Sequence, residues 1–218
     1  MARNNVLRWL DGRGWLVLSG GGANLSDIRA QALSRGAADG GVAYVSLSGQ
    51  TSDAEKVLAD MEDLGAPPGY LVDILSEDDQ TIQSILADAG MVVIEGSGTV
   101  DDLRSSLIGA AADGIQVAYQ NGAIVLAEGR AAVVFGAWVL RDSGDVTSGL
   151  EWLENALIVL GITSVAQSVE AQSVLLLQPD ALAVGIGAGS ALALGPDGEV
   201  ETWGEQQVTI ALGKDYGR

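Results

Sequence analysis

Over its first two thirds the chain alternates short apolar runs with amphipathic stretches, the pattern of consecutive βαβ units and a mostly parallel sheet. Five runs read as strands: Trp15–Leu18, Val42–Leu47, Tyr70–Leu75, Met91–Ile94 and Ile115–Tyr119. Each is short, apolar and bounded by Gly, Ser or Asp, as strands buried on both faces are. Between them Ser26–Ser34, Asp53–Leu64, Asp78–Asp88 and Thr99–Ala112 repeat Leu, Ile, Val and Ala at three- and four-residue spacing and read as helices. The second opens on Thr51-Ser52-Asp53, hydroxyls suited to an N-cap, and stops at Gly65, where a left-handed C-cap favours glycine.

After Gly129 the pattern changes. Ala131–Leu140 reads as strand, Leu150–Leu160 is apolar without clean periodicity, and Val165–Leu175 reads as helix. Leu182–Ile186, Ala191–Leu194, Val200–Trp203 and Val208–Leu212 then make a β-rich tail, with turn chemistry at Pro196-Asp197-Gly198. There is no internal repeat and no linker composition, so residues 1–218 read as a single α/β domain.

Composition narrows the chemistry. The 218 residues contain no cysteine and no histidine. Disulfides and thiolate chemistry are thereby excluded, and so are every Ser-His or Cys-His arrangement and the commonest transition-metal ligand. Eleven basic against 29 acidic residues give a net charge of −18, a field that repels phosphate backbones and anionic membrane surfaces. Nucleic acid and membrane are not expected partners. The N-terminal residues carry charge where a signal peptide is apolar, and no window reaches the length of a membrane span, so the expected location is cytoplasmic. The five tryptophans, Trp9, Trp15, Trp138, Trp152 and Trp203, read as core or interface residues, and the stretch Asn4–Asp11 packs either on a neighbour or on its own sheet.

In an open parallel sheet ligands meet the loops at the carboxyl ends of the strands. Three such loops stand out. Ser19-Gly20-Gly21-Gly22-Ala23 offers bare backbone N–H groups to an anion, or simply a tight turn. Glu95-Gly96-Ser97-Gly98-Thr99 offers two hydroxyls as nucleophile, ligand contact or, first of all, helix cap. Tyr119-Gln120-Asn121-Gly122-Ala123 reads as a sharp strand-to-helix turn, the geometry of a nucleophile elbow, without a nucleophile.

The order of these loops resembles the cyanophycinase and peptidase-E family of serine hydrolases over nearly the whole chain. That family carries Gly-Gly-Gly after its first strand, Gly-Gly-Asp/Asn after its fourth, and a Gly-Thr-Ser-Ala-Gly-Ala elbow. Aligned on Gly122-Ala123, the serine position is Gln120. Gly149-Leu150-Glu151-Trp152-Leu153 and Asn155-Ala156-Leu157-Ile158 resemble the family's next motifs, and by that register its Asp-Gln-His-Phe falls on Val159-Leu160-Gly161-Ile162, placing Gly161 where the histidine stands. Ala166, Gln167 and Ser168 stand for the arginines that usually follow, and Gly185 to Leu192 echoes a later motif without its acidic pair.

The resemblance implies a three-layer, doubly wound sheet of the class I glutamine amidotransferase type with a degenerate site. The expected function is that of a catalytically inactive homologue serving binding or assembly. The alternative is a hydrolase of aspartyl or β-aspartyl peptides with a rebuilt nucleophile, Glu95, Asp101, Asp102 and Glu128 being the carboxylates at hand and Lys56 and Lys214 the only lysines. No catalytic residue, metal or cofactor is expected. The candidate ligand contacts are Gly20, Gly21, Gly22, Gly96, Ser97, Gly98, Thr99, Gln120 and Asn121. The expected partners are a second copy of the chain, as a dimer before larger assemblies, an active paralogue, or a small peptide or anionic ligand.

Overall fold

The computed structural model describes residues 6–22, 25–36, 40–47 and 51–217, with only the backbone of 51 and 52. The capping side chains expected at Thr51 and Ser52, like Ala23 of the first loop and Asn4 and Asn5 of the N-terminal stretch, lie outside the described residues.

The chain begins as expected: β1 (Trp15–Ser19), α1 (Leu25–Ser34), β2 (Val42–Ser46), α2 (Thr51–Asp63), β3 (Gly69–Asp73), α3 (Asp79–Ala87) and β4 (Met91–Ile94). The helix expected over Thr99–Ala112 is two, α4 (Val100–Leu107) and α5 (Ala110–Gln120), because the chain turns at Gly109 with a φ of 97° that glycine adopts without strain.

A larger correction follows. Ile115–Tyr119, expected as the fifth strand, is the second half of α5. Ile, Val and Tyr alternate there, but Ala111, Gly114, Ile115, Ala118 and Tyr119 are the buried residues, which is helical spacing, while Val117 is exposed. Asn121 then caps the helix and Gly122, at a φ of 106°, stops it. The fifth strand is β5 (Ile124–Glu128).

A 3-10 turn over Gly129–Phe135 takes the first half of the strand expected at Ala131–Leu140, leaving β6 (Gly136–Leu140). The remainder is β7 (Val146–Ser148), β8 (Leu153–Leu160), α6 (Val169–Leu177), β9 (Leu182–Ile186), β10 (Ser190–Leu194), β11 (Val200–Gly204) and β12 (Val208–Leu212).

The main sheet has the order β11-β10-β1-β5-β4-β2-β3, parallel from β1 to β3, with β10 and β11 antiparallel at one edge. A second sheet runs β12-β9-β8-β6-β7. Successive strand residues face opposite ways, so the main sheet has two cores. Leu16, Leu18, Val92, Ile94 and Val125 join α3, α4, α5 and the inner face of the second sheet. Trp15, Val17, Tyr44, Val93 and Leu126 pack on Ile28 and Ala32 of α1 and Ala54 and Met61 of α2. The segment before β1 packs on its own sheets: Leu7 is buried, the Leu10 N–H donates to the Trp152 carbonyl, and Tyr119 Oη donates to the Leu10 carbonyl at 3.1 Å. Burial pushes the Tyr119 hydroxyl pKa up to about 12.

Candidate functional site

The carboxyl ends of β1, β5 and β4 lie side by side, and the loops that leave them converge on one residue, Gly129. Gly129 is the first residue after β5, has a φ of 56°, and leads straight into the 3-10 turn. Strand, left-handed residue, helical turn: this is the backbone of a nucleophile elbow. A β-carbon on Gly129 would meet no atom within 4 Å, so the elbow opens into free space.

Both glycine loops close around that point. A β-carbon on Gly21 would lie 3.3 Å from the Gly129 α-carbon. One on Gly96 would run into the Glu128 carbonyl oxygen and stand 2.7 Å from the Arg130 nitrogen, so only glycine lets the β4 loop lie against the elbow. Gly20 is pressed in turn against the carbonyl of Gly187, and the Gly189 N–H donates to the Gly21 carbonyl at 2.7 Å, so the β9–β10 turn backs the first loop.

The elbow expected at Gln120 does not form. Gln120 ends α5 and precedes β5, which places it at the amino end of the sheet, away from these loops. It is exposed, and its carbonyl accepts from Arg13 Nε at 3.0 Å. Asn121 caps the same helix. Neither meets Gly20, Gly21, Gly22 or the Gly96–Thr99 loop, because a helix read as a strand exchanges the two ends of the sheet.

Thr99 is committed to α4. Its Oγ1 donates to Asp102 Oδ2 at 2.7 Å and accepts the Asp102 N–H, a full capping box. Asp101 pairs with Arg141 at 2.8 Å. Gly98 is exposed, and its carbonyl accepts from Arg130 Nη1 at 3.2 Å. Ser97 differs: its Oγ is buried and has no hydrogen-bond partner among the described residues. Gly161 directly follows β8, with a φ of 70°, open space beside it, and its N–H on the Ile186 carbonyl at 2.9 Å. It lies on the rim that leads through Gly187 to Gly20.

Behind the elbow stands a buried ion network. Arg29 of α1 grips Glu128, the last residue of β5, with Nε and Nη2 at 2.8 and 2.7 Å, and turns Nη1 to Asp60 of α2 at 2.7 Å. Burial works against the Arg29 charge, but Glu128 first and Asp60 second outweigh it and raise its pKa. Burial foremost, then the charges of Glu95 and Glu128, raise the Tyr44 hydroxyl pKa. Among the described residues no three carboxylates come together as a metal site. Gly129 and Arg29 escaped the sequence reading; the signal for the first was the unbroken apolar run Ala123–Ala127 ending in Glu128-Gly129.

Five parallel strands with helices on both faces and a β-rich second sheet give the chain a doubly wound α/β fold, like that of class I glutamine amidotransferases. Among solved structures it is similar to a peptidase from an acI-B1 Actinobacterium, with a TM-score of 0.72 and 17% identity over 95% of this chain and 97% of that one. It is also similar to a peptidase E candidate from Listeria monocytogenes EGD-e, with a TM-score of 0.60 and 14% identity over 88% and 98%. At such identities the likeness is one of fold. No family model and no curated protein matches the sequence.

Proposed function

We propose that this chain is a noncatalytic counterpart of the peptidase-E type of serine hydrolase, and that its glycine-lined crevice holds a small peptide or anionic ligand without cleaving it. One observation carries the reading: the elbow residue, from which a nucleophile would project, is Gly129. The chain has no histidine to serve as base; on the β4 loop Thr99 Oγ1 is held in a cap by Asp102, and Ser97 Oγ has no hydrogen-bond partner among the described residues. In a Ser-His-Asp hydrolase, loss of the nucleophile alone costs on the order of 10⁶ in kcat.

The test is hydrolysis of β-aspartyl-arginine and aspartyl dipeptides by the purified protein, beside calorimetric titration with the same peptides. Binding without turnover is the expected result. Turnover by the native chain that disappears in Ser97→Ala would overturn the reading and identify a rebuilt nucleophile. Gln120→Ser is expected to change neither binding nor turnover, because Gln120 lies at the other end of the sheet.

A further inference from the structure

The last residues of the parallel strands make one polar row. Ser19 stands beside Glu128, and Ser46 beside Asp73, in the registers of β1 with β5 and β2 with β3. Ala127, Ile94 and Val45 are in register across β5, β4 and β2, so Glu95, the residue after β4, falls between Glu128 and Ser46. Its N–H continues the ladder to the Val45 carbonyl at 3.2 Å. Two residues earlier on these strands, Val17, Leu126, Val93 and Tyr44 pack toward α1 and α2, so the row stands on that same face.

Glu128 and Glu95 are thus one strand spacing apart, about 4.8 Å between backbones, and like charges placed side by side repel. Arg29 answers Glu128 and Asp60. Ser46, fully buried, donates its hydroxyl to Glu95 Oε2 at 3.3 Å and steadies that carboxylate. A carboxylate has about four acceptor positions, so Glu95, partly exposed next to Gly96, keeps room for a further donor.

Tyr44 supplies the second acceptor. It is only 2% exposed, yet its hydroxyl makes no hydrogen bond among the described residues; what acts on it, after burial, is the charge of Glu95 and then of Glu128. A buried phenol turned toward two carboxylates without a partner is a position for a hydrogen-bonding ligand.

We infer that the carboxyl ends of β2 and β4 hold a primary ammonium group between the Glu95 carboxylate and the Tyr44 hydroxyl. Two acceptors from separate strands suit the diverging N–H donors of a compact ammonium. A planar guanidinium seeks both oxygens of one carboxylate, and that fork on Glu128 is already filled by Arg29. A divalent metal needs more oxygen ligands than meet here, since among the described residues no three carboxylates come together. The ammonium belongs to a small free amine or to the amino terminus of a peptide in the crevice, and only the second source rests on the function proposed above.

Thermal melts of the full chain in propylammonium chloride, beside equal concentrations of tetramethylammonium chloride, test the site with a bare ammonium. Tetramethylammonium carries the charge without an N–H donor. A millimolar site predicts a melting temperature at least about 3 °C higher in about 50 mM propylammonium than in the same concentration of tetramethylammonium. Glu95→Gln should abolish the difference. Tyr44→Phe should shrink it without lowering the melting temperature of the ligand-free protein, because it removes a hydroxyl that has no partner in the fold. Equal shifts in the two salts, or a difference that survives Glu95→Gln, overturn the inference. Calorimetry with β-aspartyl-arginine and its Nα-acetyl form then separates the sources, and with the propylammonium shift either result supports the site. Acetylation weakens binding at least about 10-fold if the peptide's amino terminus fills it, and leaves binding unchanged if a free amine does. Peptides that fail to bind while propylammonium still stabilises would sink the crevice reading and leave the ammonium site standing; peptide binding without the propylammonium shift would sink the site alone.

Discussion

Arg29 shows how much a single side chain holds behind this site. Its guanidinium is buried and shared between Glu128 and Asp60, tying α1 and α2 to the last residue before the elbow. A buried ion pair is weak evidence of net stabilisation, because desolvation offsets most of the attraction, but removing one partner strands the other. Glu128→Leu is therefore expected to destabilise the fold by about 3–5 kcal/mol, while Arg29→Met with Glu128→Leu costs clearly less than the sum of the two single changes. Urea unfolding of the four proteins measures this; additive single effects would mean that Arg29 and Glu128 do not act as a pair. None of this was legible in the sequence. The two residues stand 99 positions apart and meet only when the sheet closes, and the sequence offers Glu128 as one of four carboxylates for acid-base pairing or capping, with no sign of Arg29 as its partner. Thr99 was legible, because a capping box is local, with donor and acceptor within four residues.

At the scale of elements, local signals carried β1 to β4 and α1 to α3, and failed where five residues fit two periods. Ile115-Gln116-Val117-Ala118-Tyr119 alternates as a strand does, and its helical frame appears only with Ala111 and Gly114 included. The error then carried the expected elbow to the wrong end of the sheet, although the glycine loops after β1 and β4 were correctly placed at its carboxyl end. The two readings have opposite consequences for a charged substitution. In a strand Ile115 and Val117 share a face and respond alike; in α5 Ile115 is 1% exposed and Val117 40%. Val117→Lys should cost no more than about 0.5 kcal/mol, and Ile115→Lys more than about 4 kcal/mol, if it folds at all. Thermal melts followed by circular dichroism decide, and equal losses would return the segment to the sheet.

For the whole molecule the governing quantity is charge. Several of the few basic residues are already in pairs: Arg29 with Glu128 and Asp60, Arg35 with Glu201, Lys56 with Asp53, and Arg141 with Asp101. Arg35 also lies over the rings of Trp15 and Trp203, closing the β11 edge of the main sheet. The unpaired excess is acidic and spread over the surface, where compaction brings like charges together. Salt acts on both contributions with opposite sign. Exposed pairs are worth at most about 1 kcal/mol each and are weakened by screening, which lowers stability. Repulsion among the surplus charges is long-ranged at low salt, where the Debye length is about 30 Å at 0.01 M, and is largely removed at 1 M, where it is about 3 Å. With −18 charges against a handful of pairs, the repulsive part is the larger, so the melting temperature should rise by several degrees between 0.01 and 0.5 M sodium chloride. A melting temperature that falls with salt would mean that surface pairing, and not surplus charge, governs the stability of this fold.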